Sequence, residues 1–534
     1  AQKGQVLFNG MDVYEHYETM RNMIGVVPQN DVVHANLTVA QTLQYAAELR
    51  FAKDVSKAER DQRIAEVLDD LDLTEHVAKR VKQLSGGQRV STAIELLTKP
   101  GLLFLDEPTS GLDPQLDRDV MDLLARLAHG TRGSDSGRTV MVVTHNENHI
   151  DRADKVLILA TGGRPVYYGA PRDVLPYFTE RLGEIFRAGR LVTHAPAGGF
   201  ADPTEITGYA DVYALVRNHT PELRAALEAR VPSTRPTGGA KVRSSTADLD
   251  QNRRPQQGLL RQVSTLVRRH LRLVLADPSY LAFMLILPLV MGLLTKVMQG
   301  EWGFAVPDYT PTPENPAPVY STQALELLVI LITGAAFAGM AATIRELIGE
   351  REVFLREKAV GLRSGSYLLA KTVVLALIVT VQTVLMVGIA LMLNDGPTDA
   401  TLLGSPGFEL AVGCWLTAFT CGLLGLAVSA YVTSSEQVMP VLVVTIMAQL
   451  VLAGGVIPVA GRAVFEQLAW IMPARWGYAM ASATVNMNAI VPYRSDGMWE
   501  HSSGQWLTDA TALLGLGLVF AVITYVGLAR RGRR

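Results

Sequence analysis

The chain has 534 residues, of which 49% are hydrophobic and only 19% are charged. Lys and Arg number 49 against 51 Asp and Glu, giving a net charge of −2, which argues against a generally basic nucleic-acid binder. The length excludes a single small module, since domains run to ~100–200 residues. With only two cysteines, Cys414 and Cys421, a disulfide-rich secreted protein is also excluded. The mean hydropathy of +0.19 indicates an average over two unlike halves.

The first half of the chain alternates short aliphatic runs with charged helical stretches such as Ala58–Leu71. Four of the runs predict buried strands: Val6–Asn9, Gly25–Pro28, Leu102–Leu105 and Thr139–Thr144. Residues 1–230 are therefore expected to form an α/β domain.

A change of composition follows this domain. Residues 231–258 are rich in Pro, Ser, Thr, Arg and Gln, which predicts a linker or a mobile loop. Residues 259–277 place basic side chains such as Arg268 and Arg269 among regularly spaced Leu and Val. That pattern is typical of an amphipathic helix at a membrane surface.

Residues 278–534 are dominated by long apolar segments. Each is close to the ~20 residues that cross a bilayer. The six predicted spans are 280–298, 324–343, 367–393, 408–432, 437–457 and 510–529. This part of the chain is expected to form an all-α membrane domain.

The distribution of Lys and Arg predicts the orientation of the spans. Six of these residues fall between positions 345 and 371, and four arginines end the chain, whereas 299–322 and 394–407 contain neither Lys nor Arg. The positive-inside rule then places both termini in the cytoplasm of a multi-pass plasma (inner) membrane protein. The stretch Pro458–Asp509 is expected outside, with Phe465–Val485 dipping into the interface as a re-entrant hairpin.

The strongest local signal is a buried run that ends in two acids, within Gly101–Asp113. In this position Asp106 would hold a hydrated Mg²⁺, and Glu107 would polarise an attacking water. The alternative is a strand end with two solvated acids. Three further elements, in a fixed order along the chain, favour the catalytic interpretation.

Two of these three elements also have an ordinary alternative. Leu84-Ser-Gly-Gly-Gln88 precedes the helical pattern Val90–Leu97; it suits a γ-phosphate at a helix N-terminus or is a simple helix start. Gln29 follows a short strand, from which its amide would reach Mg²⁺ or the attacking water. His145 ends another strand, where a lone histidine is usually a surface or satisfied core residue.

In combination these motifs resemble the nucleotide-binding domain of ATP-binding cassette (ABC) transporters. The resemblance implies an ATPase that uses ATP and Mg²⁺, with Asp106 and Gln29 on the metal, Glu107 as the catalytic glutamate and His145 as the switch residue. The ATP-binding residues that it implies are Gln29, Ser85, Gly86, Gly87, Gln88 and Asp113.

The membrane half is similar to ABCG-like, ABC-2-type exporters, in which the ATPase precedes the membrane domain. The charged run Arg345–Leu362 follows span two, and the resemblance implies that it is a coupling helix resting on the ATPase. A solvated loop is the alternative, but it would need no apolar face, which Ile348, Val353 and Leu355 help to supply. The coupling residues implied are Glu350, Arg351, Phe354, Arg356 and Glu357.

The resemblance covers nearly the whole chain and is closest to an actinobacterial branch. It implies a half-transporter working as a homodimer, because an ABC ATP site takes its Walker loop from one subunit and its signature from the other. Members of that branch carry forkhead-associated domains ahead of the ATPase, which implies phosphothreonine-dependent regulation through domains upstream of this chain. No nucleic-acid partner is expected.

The chain departs from the family pattern in two places. No Gly-x-x-x-x-Gly-Lys-[Ser/Thr] occurs, and Gly238-Gly-Ala-Lys241 has the wrong spacing, so the ATPase domain is expected to be N-terminally incomplete and the chain inactive alone. Family members also have two more residues after Gln88. Losing two residues rotates a helix by about 200°, which is hard to reconcile with the intact apolar run Ala93–Leu97. We hypothesise that both pieces are missing from the sequence, which an intact mass near 57.9 kDa would contradict.

Three polar residues within the predicted spans bear on the substrate. Glu326, Gln382 and Gln449 are costly in lipid and predict a substrate path, or each bonds a neighbouring helix. Wide apolar spans with few ionisable groups favour an amphipathic lipid or glycolipid of the cell envelope over a small ion. The alternatives are multidrug efflux and a non-transporting regulatory or inactive ATPase-like membrane protein.

Overall fold

The structure, a computed structural model, describes residues 6–531 with gaps. The gaps are residues 9–10, 17–19, 21–22, 30–31, 53, 85–87, 131–136, 193–200, 231–256 and 308–319. The chain forms two compact units: an N-terminal unit of residues 1–33, 38–47 and 51–255, and a membrane unit of residues 34–37, 48–50 and 256–534. Nearly all of the predicted linker, 231–258, lies outside the described residues.

Three parallel strands form the main sheet of the N-terminal unit. β3 (Ile24–Val27), β4 (Leu102–Asp106) and β5 (Thr139–Val143) pair in the order β3-β4-β5. Their aliphatic and β-branched composition suits strands of a parallel sheet. Two antiparallel pairs complete the described strands: β1 (Leu7–Phe8) with β2 (Met11–Asp12), and β6 (Val156–Ala160) with β7 (Arg164–Gly169).

The two faces of the main sheet differ in exposure. Leu103 and Leu105 of β4 are buried, whereas Val26, Met141 and Val143 of the flanking strands are exposed. Because side chains alternate along a strand, the exposed face is the one that Asp106 shares with Val143, its register partner. The last side chain of β4 is therefore accessible at the carboxyl end of the sheet.

Among the described residues of this unit, seven α-helices accompany the strands: α1 (Val39–Arg50), α2 (Lys57–Asp70), α3 (Gln88–Leu96), α4 (Pro114–His129), α5 (Val174–Arg187), α6 (Tyr209–Asn218) and α7 (Thr220–Arg230). Side chains fix where several of them begin. Thr38 and Ser56 each start a helix with a reciprocal capping box, which satisfies otherwise unpaired N–H groups. α4 starts at Asp113, which precedes a proline at the first helical position.

The described part of the membrane unit is helical: α8 (Leu259–Ala276), α9 (Pro278–Leu294), α10 (Gln323–Thr343), α11 (Glu346–Gly349), α12 (Arg351–Ala359), α13 (Ser364–Leu393), α14 (Pro406–Tyr431), α15 (Val438–Leu452), α16 (Phe465–Trp470), α17 (Pro473–Thr484), α18 (Met487–Ile490) and α19 (Ser503–Arg530). Six described helical segments are long and apolar enough to cross a membrane: Pro278–Val297, Gln323–Gly349, Ser364–Leu393, Pro406–Tyr431, Ser435–Leu452 and Ser503–Arg530. We number these spans one to six.

Three spans differ by five or more residues from their predicted ranges, and one of them is span two, which runs to Gly349 rather than ending at 343. Span six begins at Ser503 rather than at 510, because the Ser502 side chain accepts a hydrogen bond from the Gln505 backbone N–H and starts the helix in a polar stretch,. Span five ends at Leu452 rather than at 457. It is followed by Gly454 with φ of +97°, a left-handed conformation that favours glycine after a helix.

Spans two and four pack with almost no side chain between them. A Cβ atom on Gly339 would lie 1.8 Å from the carbonyl oxygen of Ala418, and one on Gly425 would lie 2.3 Å from Oγ1 of Thr343. The Thr343 hydroxyl donates to the carbonyl of Gly422 at 2.7 Å. Small residues therefore allow the two backbones to approach closely, as is common between membrane helices.

The segment predicted as a re-entrant hairpin consists of the two helices α16 and α17. At the start of α17, Arg475 is almost fully buried and its Nη2 donates to Oδ2 of Asp496 at 2.7 Å. Asp496 in turn exchanges hydrogen bonds with Asn488. This buried ion pair holds the segment after span five against the residues that precede span six.

Candidate functional site

The carboxyl ends of the three parallel strands bring four predicted site residues to one edge of the sheet. Gln29 follows β3, Asp106 ends β4 with Glu107 directly after it, and His145 follows β5. Parallel strands present these ends on the same side, where α/β sheets usually bind ligands. Residues separated by more than one hundred positions in the sequence therefore meet.

Glu107 bridges two of its neighbours. Its Oε2 accepts a hydrogen bond from Nε2 of Gln29 at 2.7 Å, and its Oε1 lies 2.8 Å from Nδ1 of His145. The backbone N–H of Glu107 donates to the carbonyl of Val143 at 2.8 Å. We call Gln29, Glu107 and His145 the strand-edge cluster.

The backbone at Glu107 adopts an unusual conformation. Its φ is +46°, in the left-handed region that non-glycine residues rarely occupy and that costs free energy. The bend turns the chain out of β4, so that Glu107 contacts the residues that follow the flanking strands. The conformation thus places the carboxylate between the amide and the imidazole.

The two other acids of this motif lie beside the cluster. Asp106 is exposed at the end of β4. Asp113 is also exposed, and its Oδ1 accepts hydrogen bonds from the backbone N–H groups of Gln115 and Leu116 at 3.0 Å each. Among the described residues no group of three or more His, Cys, Asp or Glu side chains forms a metal site. A divalent cation here would depend on oxygen donors such as Asp106 together with a ligand.

The predicted signature turn is only partly described. Ser85, Gly86 and Gly87 lie outside the described residues, and the side chain of Gln88, the first residue of α3, is not described either. The helix itself is buried all along Val90–Leu97, with Val90 and Ala93 at 0% exposure. The apolar run after the two-residue shortfall therefore faces the interior.

A cavity of about 500 Å³ opens beside the cluster. Its lining includes Glu107, Ser110, His145 and Glu147, together with Tyr213 of α6. Polar side chains next to an open cavity of this size can receive a ligand. The cavity thus lies beside the acid and the imidazole that the sequence singled out.

Sequence reasoning missed one contact of this site. Nδ2 of Asn146, the residue after His145, donates to Oδ2 of the buried Asp117 in α4 at 2.9 Å. This bond ties the loop after β5 to the helix that follows Asp113. The only signal in the sequence was an amide next to the candidate histidine.

The predicted coupling residues lie at one end of the membrane unit, in and around α11 and α12. Arg269 of α8 makes a bidentate pair with Glu357 of α12. Nζ of Lys371, in span three, lies 2.5 Å from Oε1 of Glu346 and 2.8 Å from Oε2 of Glu350. We call these five residues the ion cluster. Each of its charges has an opposite partner, as a buried charge requires.

An aromatic pair packs against the ion cluster. Phe354 of α12 is 2% exposed and lies 4.6 Å from the ring of Tyr367, whose hydroxyl donates to Oε2 of Glu350 at 2.9 Å. Arg351 is exposed and Arg356 is half-buried. Helix α12 therefore has one apolar and ionic side fixed in the unit and another side that carries exposed charge.

The charges of the ion cluster shift the pKa values of Glu357 and of the neighbouring His270. Burial acts to raise the pKa of Glu357, but the adjacent Arg269 guanidinium outweighs it and holds that pKa below its usual value. Burial and the Lys371 ammonium lower the pKa of His270, whose Nε2 lies 3.2 Å from Oε1 of Glu346. Glu357 is thus held ionised and His270 neutral.

The three polar residues predicted to line a substrate path have different surroundings. Nε2 of the buried Gln382 donates to the carbonyl of Met284 in span one at 3.1 Å. Oε1 of the buried Gln449 accepts from the backbone N–H of Ala474 in α17 at 2.8 Å. Glu326 is exposed on α10. Both glutamines bond a neighbouring helix, and Glu326 presents its carboxylate outside the packed unit.

Two protein families match the chain. The family described as ABC transporter matches residues 1–110, and the family described as ABC-2 type transporter matches residues 261–486. The first match covers β3, β4 and Glu107, and the second covers α8 and most of the membrane unit. Each match thus covers part of one unit of the structure.

Curated relatives match one or both parts. An ABC transporter ATP-binding/permease protein of Mycobacterium tuberculosis is 40% identical over 533 residues, 99% of this chain and 56% of that protein. ATP-binding cassette sub-family G member 8 of Homo sapiens is 36% identical over 186 residues, 33% of this chain and 26% of its own length. The broad substrate specificity ATP-binding cassette transporter ABCG2 of Mus musculus is 35% identical over 183 residues, 33% of this chain and 26% of its own length. The chain thus spans about half of the first relative and about a quarter of the others.

Proposed function

Because the chain belongs to the ABC transporters and joins an ATPase region to an ABC-2 type membrane region, we propose that the full-length protein is an ATP-driven exporter. The observation that carries the proposal is the strand-edge cluster, in which Glu107 contacts both Gln29 and His145. A carboxylate in this position can orient a water and accept its proton. The relatives of the G sub-family support export as the direction.

Each residue at the sheet edge is assigned a separate role in ATP hydrolysis. Glu107 acts as the general base toward the attacking water, while Gln29 and His145 orient its carboxylate. Asp106 and the amide oxygen of Gln29 are the oxygen donors that Mg²⁺ prefers. When bound, the metal neutralises charge on the phosphate oxygens. Asp113 and the turn Ser85–Gln88 contribute to the nucleotide site.

The proposed working form is a dimer of the full-length protein, because in ABC transporters each ATP site takes its signature turn and its phosphate-binding loop from different subunits. The 534 residues include a signature turn but no phosphate-binding Gly-x-x-x-x-Gly-Lys-[Ser/Thr], and backbone N–H groups of such a loop are what hold the nucleotide phosphates. We propose that these 534 residues alone do not hydrolyse ATP. In the working site, the signature turn of one copy faces the phosphate-binding loop of a second copy.

Helices α11 and α12 are proposed to transmit the ATPase cycle to the spans. The ion cluster joins them to α8 and to span three, so a displacement of α12 is carried into the membrane unit rather than absorbed by a solvated loop. Conformational steps commonly limit the turnover of enzymes. Among the coupling residues, Phe354 is buried, and Glu350 and Glu357 are paired within the ion cluster.

The proposed cargo is an amphipathic lipid or glycolipid of the cell envelope, exported across the inner membrane. The described spans contain few ionisable groups, and the two glutamines among the predicted path residues are bonded within the unit. Glu326 remains the candidate path residue with an exposed carboxylate. An apolar path with one acidic side chain suits a long-chain molecule with a polar head.

The test is vanadate-sensitive ATP hydrolysis by the full-length protein in lipid vesicles. Glu107→Gln should lower turnover about 10²- to 10⁴-fold, the range for loss of a general base, while ATP binding is retained. Glu147→Gln is the matched control, because Glu147 is an exposed acid that lines the same cavity. Equal turnover in wild type and Glu107→Gln would remove Glu107 from this role.

The same assay separates the alternatives. Stimulation of turnover by envelope lipids supports the lipid exporter, whereas stimulation only by hydrophobic drugs identifies a multidrug pump. A full-length protein without hydrolysis under any condition would be a regulatory or inactive ATPase-like membrane protein. That result would contradict the proposal.

A further inference from the structure

Lys358, in the last turn of α12, contacts the end of a different helix. Its Nζ donates to the backbone carbonyls of Leu528 at 2.9 Å, Ala529 at 3.1 Å and Arg531 at 2.5 Å. These carbonyls end span six and have no partner inside their own helix. One ammonium group therefore caps the C-terminal end of span six, where the helix dipole also favours a cation.

Ser429, near the end of span four, contacts the first turn of α11. Its Oγ accepts hydrogen bonds from the backbone N–H groups of Leu347 at 3.0 Å and Ile348 at 3.2 Å. These groups belong to the first turn of α11, which is short of internal acceptors. Ser429 is 0% exposed, so these bonds do not compete with water.

Arg531 joins these two contacts. Its Nη2 donates to the carbonyl of Ser429 at 3.2 Å, while its own carbonyl accepts from Lys358. Lys358 links α12 to the end of span six, and Arg531 links that end to span four. Ser429 then links span four to α11. The bonds link four elements, and the short chain connection between α11 and α12 closes the ring.

The ring is separate from the ion cluster. The ion cluster ties α11 and α12 to α8 and span three, whereas the ring ties them to spans four and six. The nearest common element is Phe354, whose ring centroid lies 5.7 Å from Nζ of Lys358 and which packs on Tyr367. Helices α11 and α12 thus hold four elements of the unit by two independent sets of contacts.

We propose that Lys358 and Ser429 are positioning residues that make the cytoplasmic ends of spans four and six follow α11 and α12 during the transport cycle. The inference rests on the proposed function, because it assigns these two residues a place in transmission. A cation that only capped a frayed helix end would be expected on that same helix. Here the cap is supplied by the element proposed to move.

The test is hydrogen exchange of the full-length protein in vesicles of phosphatidylethanolamine and phosphatidylglycerol, with and without ATP. Wild type, Lys358→Met and Lys358→Arg are compared in two segments: residues 346–359, which report the coupling region, and 524–531, which report the end of span six. Lys296→Met is the matched control. Lys296 also donates to the last carbonyls of a span, that of Leu393 at 3.4 Å, but at the opposite end of the unit.

We expect Lys358→Met to raise exchange in 524–531 roughly tenfold without nucleotide, since charge-assisted bonds are lost. With ATP, 346–359 should still respond in this variant while 524–531 no longer responds, and Lys358→Arg should restore the joint response. Ser429→Ala should raise exchange at Leu347 and Ile348 in the same way. A response of 524–531 to ATP in Lys358→Met equal to that of wild type would overturn the proposal.

The two proposals fail in different ways. If ATP changes exchange in neither segment of the wild type, the proposed function is contradicted. The ring is then judged from the nucleotide-free samples: unchanged exchange in Lys358→Met overturns it, and faster exchange that Lys358→Arg restores supports it as a contact of the resting protein.

Discussion

The strand-edge cluster and the ion cluster both bring acids together with basic or amide groups, but they do so under opposite conditions. In the strand-edge cluster the His145 side chain is 76% exposed and that of Glu107 is 24% exposed. In the ion cluster the side chains of Lys371 and Arg269 are 5% and 6% exposed. The first set of polar groups is open to a ligand, and the second is closed to one.

The difference shows how the two sets contribute to the protein. Exposed charges contribute little to stability because water and salt screen them, so the strand-edge cluster is free to be arranged for chemistry. Buried charges must be fully paired, because an unpaired charge in the interior is costly. The ion cluster is therefore sensitive to loss of any member, whereas the strand-edge cluster should tolerate substitution without unfolding.

The largest effect on stability is expected for Glu357→Gln. The substitution leaves the Arg269 guanidinium buried without its carboxylate, which should lower the free energy of unfolding by about 3–5 kcal/mol. The measurement is thermal unfolding of the detergent-solubilised protein. Glu352→Gln, an exposed position on the same helix, is the matched control and should change little.

A double variant sharpens this comparison. Replacing both partners, with Arg269→Met and Glu357→Leu, leaves no unpaired charge in the interior. Replacing a buried ion pair by apolar side chains in this way is often neutral or stabilising. The double variant should therefore be more stable than Glu357→Gln alone. A double variant as unstable as the single one would show that the pair is not the source of the loss.

An intermediate effect is expected from acid, through His270. Burial lowers the pKa of this histidine in the folded state, while the unfolded chain binds a proton near the ordinary value of about 6.5. Stability is thus complete above that value and declines as the pH falls below it. Between about pH 7.5 and about pH 5.5 this histidine should cost at most ~1.4 kcal/mol.

The same unfolding measurement at several pH values checks the assignment. His270→Gln removes the titrating group, so its unfolding midpoint should vary less over this pH interval than that of the wild type. Identical pH profiles would assign the acid sensitivity to other groups.

The smallest effect on stability is expected for Gln29→Ala. Gln29 is exposed, and such substitutions usually change the free energy of unfolding by no more than about 0.5 kcal/mol. Turnover of ATP by the full-length protein should nevertheless fall, because Glu107 loses the amide that holds its Oε2. A large drop in unfolding midpoint would place Gln29 among the structural residues instead.

The sequence predicts the parts of this molecule that depend on local pattern. Aliphatic runs locate three strands of the main sheet, long apolar segments locate the spans, and the sequence places Gln29, Glu107 and His145 each beside the end of a predicted strand. These features follow from periodicity, bilayer thickness and the geometry of parallel strands, and none requires knowledge of a distant contact.

The remaining contacts join residues that are distant in the sequence. The residues around each of them give no indication of its partner. Lys358 and Leu528 are 170 positions apart, and nothing near either predicts the other. In the sequence, Arg475 is a charge within an apolar segment, and only the structure shows that Asp496 lies beside it. Asp117 looks like an ordinary helix-surface acid, yet it is buried against Asn146. Pairing of this kind is set by how helices pack, which hydropathy alone does not encode.

The close approach of Gly339 to the carbonyl of Ala418 has a consequence for how the membrane unit moves. A shift of span two along span four by a single residue would bring a Cβ atom into a space that has no room for one. Spans two and four are thus fixed in register and form one rigid helix pair. In a rearrangement of this unit, the other helices therefore move relative to this pair.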